Sequence, residues 1–162
     1  MNHLSIKHFQ KWGFEKVADV AIWRNDLWLF KNIDQSLMYS DHTSWVYLIV
    51  VNGIIYKVGE TGNPLGIKSK THAQPVASTK CRMGRLANVT SSHTDTDVRL
   101  RRALKESVQQ GLVEVWAYKC PIQTQTLWEM EIKQTIHKSL ELALLEHLHS
   151  LGTWPAGNQA LK

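Results

Sequence analysis

Cysteine is scarce in this chain: Cys81 and Cys120 are its only two, they form no CxxC pair, and a disulfide framework or cysteine-rich metal site is excluded. Proline is nearly as rare, with 4 beside 9 glycines, which rules out collagen-like and low-complexity classes. No apolar run approaches the ~18 residues of a membrane helix. The opening MNHLSIKHFQKW has no continuous apolar segment of the secretory kind, so a cytoplasmic protein with no membrane contact is expected. GxGxxG, Walker A and HExxH patterns are missing, so no nucleotide cofactor is expected, and the 8 histidines make no ligand spacing with the cysteines.

What is present suits one core-forming domain: 162 residues, 43% hydrophobic and 20% charged, with 7 tryptophans. Cations exceed acids by 19 to 14, and the excess is concentrated between Lys57 and Arg102. That stretch carries Lys68, Lys70, Lys80, Arg82, Arg85, Arg99, Arg101 and Arg102, a pattern suited to a polyanionic partner.

Residues 3–22 space their apolar positions by three to four, which predicts helix with a break near Gly13. WRNDLWLF (23–30) is compatible with strand, hairpin or a turn of helix. Two β-branched, aromatic runs, Trp45–Val51 and Ile54–Val58, flank Asn52-Gly53 and predict a hairpin. Residues 59–78 read as a loop, and a short helix beginning near Thr79 carries Arg82, Met83 and Leu86. A second helix runs from a capping Asp95 or Asp97 to Gln110, stopped by Gly111. Leu112–Tyr118 alternates as a third strand, and Thr126–Leu151 has helical spacing up to Gly152. His147 and His149, two apart on that helix, are expected in solvent. The order predicts an α/β (α+β) chain: a small antiparallel three-stranded sheet flanked by helices, behind an N-terminal helical extension.

Val46-Tyr47 on one hairpin strand, Tyr56-Lys57-Val58-Gly59-Glu60-Thr61 on the next, an arginine on the following helix, a glutamate in the last helix and Pro155-Ala156-Gly157-Asn158 together resemble the GIY-YIG nuclease superfamily. The likeness is to small stand-alone type II restriction endonucleases, in which a lysine replaces the second-motif tyrosine. It spans Trp45 to Asn158, dividing the chain into an extension, 1–44, and a nuclease domain, 45–162. The resemblance implies Tyr47, Lys57, Arg82 and Asn158 as catalytic positions, with Arg85 one turn on as an alternative to Arg82, and Glu141 as the ligand of one Mg²⁺. Glu60 stands where some relatives carry histidine or lysine, and His72 lies in the loop that follows. The implied activity is sequence-specific hydrolysis of double-stranded DNA to 5′-phosphate and 3′-hydroxyl ends, by a homodimer if a palindrome is cut on both strands; the alternatives are a repair, recombination or phage-type DNA nuclease of low specificity and a non-catalytic DNA-binding module on the same scaffold.

These residue types suit that chemistry. Tyr47 can take a proton from water if an adjacent ammonium, Lys57, favours its phenolate. A guanidinium matches phosphate oxygens, and a half-buried carboxylate plus waters and phosphate is a usual Mg²⁺ environment. Trp12, Trp23, Arg24 and Trp28 in the extension are expected as exposed anchors for dimerisation or DNA. The 62–80 loop (Lys68, Lys70, Lys80) and the Arg99, Arg101 and Arg102 helix face are expected to contact DNA. A plain two-residue hairpin loop would place Tyr47 and Lys57 on opposite faces, so the reading requires a one-residue bulge, at a three-residue loop or elsewhere in the hairpin, that sets Tyr47 across from Lys57.

Overall fold

A computed structural model describes residues 4–22, 27–70, 74–78, 80–87 and 95–158. The N-terminal helix α1 (Ile6–Lys11) is short, and the chain then enters β1 (Glu15–Ile22), β2 (Trp28–Lys31) and a turn of helix, α2 (Gln35–Met38). The hairpin β3 (Trp45–Val51) and β4 (Ile54–Thr61) follows, then the small strands β5 (Ile67–Lys68) and β6 (Val76–Ala77) and helices α3 (Arg82–Ala87) and α4 (Asp95–Gln109). Strand β7 (Val113–Lys119), a second hairpin β8 (Ile122–Leu127) and β9 (Met130–Thr135), and α5 (His137–Ser150) complete the order.

The antiparallel sheet flanked by helices is present, but it has five strands in the order β2-β1-β7-β3-β4, where three were expected. The extra two come from the segment read as helical extension. A register shift between Lys16 and Ala18 in the β1–β7 pairing buries Val17, Ala18 and Val20 together, a spacing that imitates helical periodicity. Trp28, expected on the surface, is 1% exposed because β2 alternates and points it with Phe30 into the core. Trp12 is exposed as expected, whereas Trp23, Arg24, His72 and Thr79 lie outside the described residues.

The second correction concerns Thr126–Leu151. Its first ten residues belong to the β8–β9 hairpin, and helix begins only at His137. Thr124, Thr126, Ile132 and Thr135 favour strand, while the turn residues Trp128 and Glu129 take φ of 49° and 64° without a glycine to announce them. The hairpin is solvent-exposed along nearly its whole length, and Trp128 is 85% exposed. At the other end the expectation holds: Gly152, at φ 71°, ends α5 with its N–H bonded to His149 O, and Thr153 N–H reaches back to Leu148 O. His147 and His149 are exposed, with ring contacts to Trp12 and Trp154.

Helices cover both sheet faces. Trp45, Tyr47 and Ile49 point to a core with Met83, Leu86, Leu100 and Leu104 of α3 and α4. Val46, Leu48 and Val50 point to the opposite core with Phe9 of α1 and Leu145 and Leu148 of α5. The hairpin keeps its two-residue turn, with Asn52 and Gly53 at φ 52° and 77°. Val51 pairs with Ile54 and Val50 with Ile55, but Ile49 pairs with Lys57, leaving Tyr56 as a bulge. The bulge brings Lys57 to the face of Tyr47, as required, but two pairs along, opposite Ile49. Gly59, not Lys57, lies directly opposite Tyr47.

The Tyr47 ring lies over Gly59 so closely that a Cβ there would be 2.3 Å from Tyr47 Cζ. Gly59→Ala is therefore expected to destabilise the fold by about 1–3 kcal/mol through overpacking. Urea denaturation checks this; an unchanged midpoint would mean that the ring does not rest on this glycine.

Candidate active site

Because β4 is the sheet's edge, side chains from both faces meet around it. Tyr47 from β3, Lys57 and Glu60 from β4, Arg82 and Arg85 from α3, and His137 and Glu141 from α5 line one open cavity of about 430 Å³. His137 and Glu141 stand one turn apart on α5, so both face this opening.

Arg82 is the best-fixed of these groups. Its Nε–H donates to Tyr47 Oη at 2.7 Å, while its two terminal nitrogens donate to the Asp97 carboxylate at 3.1 and 2.8 Å. Burial works against the charged guanidinium, but the Tyr47 and Asp97 contacts outweigh it and hold its pKa above the ordinary arginine value. Burial likewise opposes ionisation of Asp97, and the Arg82 bonds reverse this, leaving its carboxyl more acidic than usual. Asp97, considered from sequence as a helix cap, is instead this arginine's partner inside the first turn of α4.

The expectation that Lys57 acidifies Tyr47 is replaced by a different arrangement. Tyr47 is 1% exposed, and this burial pushes its phenol upward; the opposing pull comes from Arg82, with Asp97 and Glu141 raising it further. Burial lowers the pKa of Lys57, and the Arg82 cation adds to the effect. The Lys57 ammonium reaches Gly157 O at 3.4 Å and ion-pairs with no acid among the described residues. Glu141 is less acidic than an ordinary glutamate, first from burial and then from Glu60, although Lys57 and Arg82 pull the other way.

Two contributors were not legible from sequence as a pair. His137 Nδ1 is hydrogen-bonded to Ser44 Oγ at 3.0 Å, and its Nε2 lies 3.3 Å from Glu60 Oε2. Asn158 does not line the cavity: its amide accepts from Val58 N–H and donates to Val58 O, both at 2.8 Å, docking the C-terminal turn on β4. Of the other cationic positions, Lys68, Lys70, Lys80, Arg99 and Arg102 are exposed, and Lys68 lies over the Tyr39 ring. Arg101 is half-buried, with its pKa lowered by burial.

No family model and no curated protein sequence matches the chain. Its fold matches solved structures. An alanine mutant of bacteriophage T4 EndoII aligns with a TM-score of 0.65 and 14% identity, over 98% of this chain and 100% of the other. The restriction endonuclease HPY188I, in complex with product DNA, aligns with a TM-score of 0.51 and 17% identity, over 99% of this chain and 88% of the other.

Even a half-buried ammonium without an acidic partner, such as that of Lys57, costs stability. Lys57→Met is expected to raise the thermal midpoint by a few degrees at neutral pH. The native lysine releases its proton more readily than the unfolded one, so the wild type gains stability as pH rises toward the ordinary lysine value, and the gap to the variant closes. Thermal denaturation across that range checks both points; a lower midpoint for the variant contradicts them.

Proposed function

We propose that the protein is a divalent-metal-dependent DNA endonuclease, of the sequence-specific restriction type, whose cleavage site is the cavity at the β4 edge. The observation that carries this reading is the meeting of a phenol, an amine, two guanidiniums and a half-buried carboxylate around one opening. The shared fold of two structures named as nucleases supports it.

In this reading Tyr47 acts as its phenolate, its own proton already lost to solvent: Oη takes a proton from an adjacent water as the water oxygen attacks phosphorus and the phosphorus–O3′ bond breaks. The Lys57 amine, whose proton is loosely held, orients the water or a phosphate oxygen. Arg85, one turn from Arg82, and the two Arg82 N–H groups left over from Asp97 and Tyr47 meet the charge that builds on the phosphate. Asn158 serves by fixing β4, and hence Lys57, in place. The exposed Lys68, Lys70, Lys80, Arg99 and Arg102, with the less exposed Arg101, hold the duplex backbone. A homodimer would cut both strands of a palindrome, and the first 44 residues are proposed to serve dimerisation or DNA contact.

The donor set fits a hard cation. Glu141 faces Glu60 with its proton affinity raised, so a cation beside it would relieve both burial and repulsion. No group of three or more His, Cys, Asp or Glu forms among the described residues, so waters and a phosphate oxygen must supply the remaining ligands. Glu141 would hold Mg²⁺, which when bound stabilises the negative charge of the departing oxygen.

Glu141→Gln is expected to lower plasmid cleavage by roughly two orders of magnitude or more while leaving salt-sensitive DNA affinity intact. Mg²⁺ should raise the thermal midpoint of the wild type and not of this variant. The wild type should give discrete plasmid fragments. Undiminished cleavage by the variant would refute the metal assignment, and a continuous smear would refute sequence specificity.

A further inference from the structure

We infer that Asp97 is a positioning residue that sets the acidity of Tyr47 through Arg82. The cleavage arm of this inference rests on the nuclease reading above; its structural arm does not.

Asp97 is 4% exposed and touches none of the atoms at which a substrate would react, since it does not line the cavity. Its two oxygens instead take one N–H from each terminal nitrogen of Arg82. End-on, two-point binding of a planar guanidinium fixes both its position and the plane in which it lies. Once that plane is fixed, the remaining Nε–H has one direction, and Tyr47 Oη lies along it at 2.7 Å. The phenol oxygen thus accepts from a permanently charged donor, a contact worth more to a phenolate than to a phenol.

The sign of the effect separates positioning from simple electrostatics. The Asp97 carboxylate is itself negative, and by charge alone it makes Tyr47 less acidic. A residue that acted only through its charge would, when removed, let Tyr47 ionise at lower pH. A residue that acts by holding Arg82 would, when removed, let the guanidinium leave Tyr47 Oη and make the buried phenol harder to ionise. Other charges around Tyr47 are Glu141 from α5, which raises it, and Lys57 from β4, Arg85 from α3 and Glu60 and His137 at the cavity rim, none of which changes in the experiment.

The test places a ring-fluorinated tyrosine, intrinsically more acidic than tyrosine, at position 47 and follows its fluorine resonance against pH. With Asp97→Ala the ionisation is expected to move upward by about one unit or more. With Asp97→Asn, which keeps one acceptor for the fork but removes the charge, it is expected to stay below the alanine value. Equal shifts in the two variants, or a downward shift with alanine, overturn the inference. If the alanine variant does not fold, Asp97→Glu decides: it keeps the charge and moves the carboxylate by one methylene, so an upward shift supports positioning and an unmoved titration refutes it.

In the nuclease assay with natural tyrosine, the rising limb of the rate profile should move with the titration, giving about a tenfold loss at neutral pH for each unit. A shifted titration in a protein that never cleaves DNA would sink the nuclease reading and leave the positioning role standing. Lost cleavage with an unmoved titration would make Asp97 merely structural.

Discussion

An arginine withdrawn from solvent between a sheet and two helices is costly unless every strong donor finds an acceptor. Arg82, with its side chain only 12% exposed, goes most of the way to this condition: three of its five N–H donors are taken by Asp97 on α4 and Tyr47 on β3, and the other two are directed elsewhere. Removing one partner of such a pair costs about 3–5 kcal/mol, because the other charge is left buried and unmatched. The same three side chains therefore tie α3 and α4 to the sheet and orient the phenol that faces the cavity.

The edge strand supplies the second constraint. A bulge at Tyr56 turns Lys57 to the Tyr47 face, while Glu60, opposite Val46, stays on the other face beside α5. The Asn158 amide closes on Val58 from outside, so the strand edge is covered where it must also be held still. Charged groups from the two faces then meet around β4 instead of across a sealed core. Lys57 and Glu141 are both held in protonation balances unfavourable to their charged forms, the kind of local cost that binding sites carry.

Much of the central frame was legible in the chain. Asn52-Gly53 between two β-branched runs gave the turn, Gly111 and Gly152 gave two helix ends, and the alternation of 113–118 gave β7. Tyr47, Lys57, Arg82, Arg85 and Glu141, singled out in the chain as chemically distinctive types in a particular order, line the same cavity. Three features were hidden for physical reasons. The shift in β1 counterfeited a helical period. The Trp128-Glu129 turn takes left-handed backbone without glycine or asparagine to signal it. Asp97 looked like a cap because its partner, fifteen residues earlier, is brought near only by the packing of α3 on α4.

In the proposed nuclease reading, the cavity at the β4 edge receives a phosphate of DNA. The most direct measurement is a crystal structure of the Glu141→Gln protein with a short duplex that it binds but does not cut. One backbone phosphate is expected in the cavity, within hydrogen-bonding reach of Lys57, Arg82 or Arg85 and with a water beside Tyr47 Oη. A duplex seated elsewhere on the molecule, with this cavity filled only by solvent, would rule the cavity out as the cleavage site.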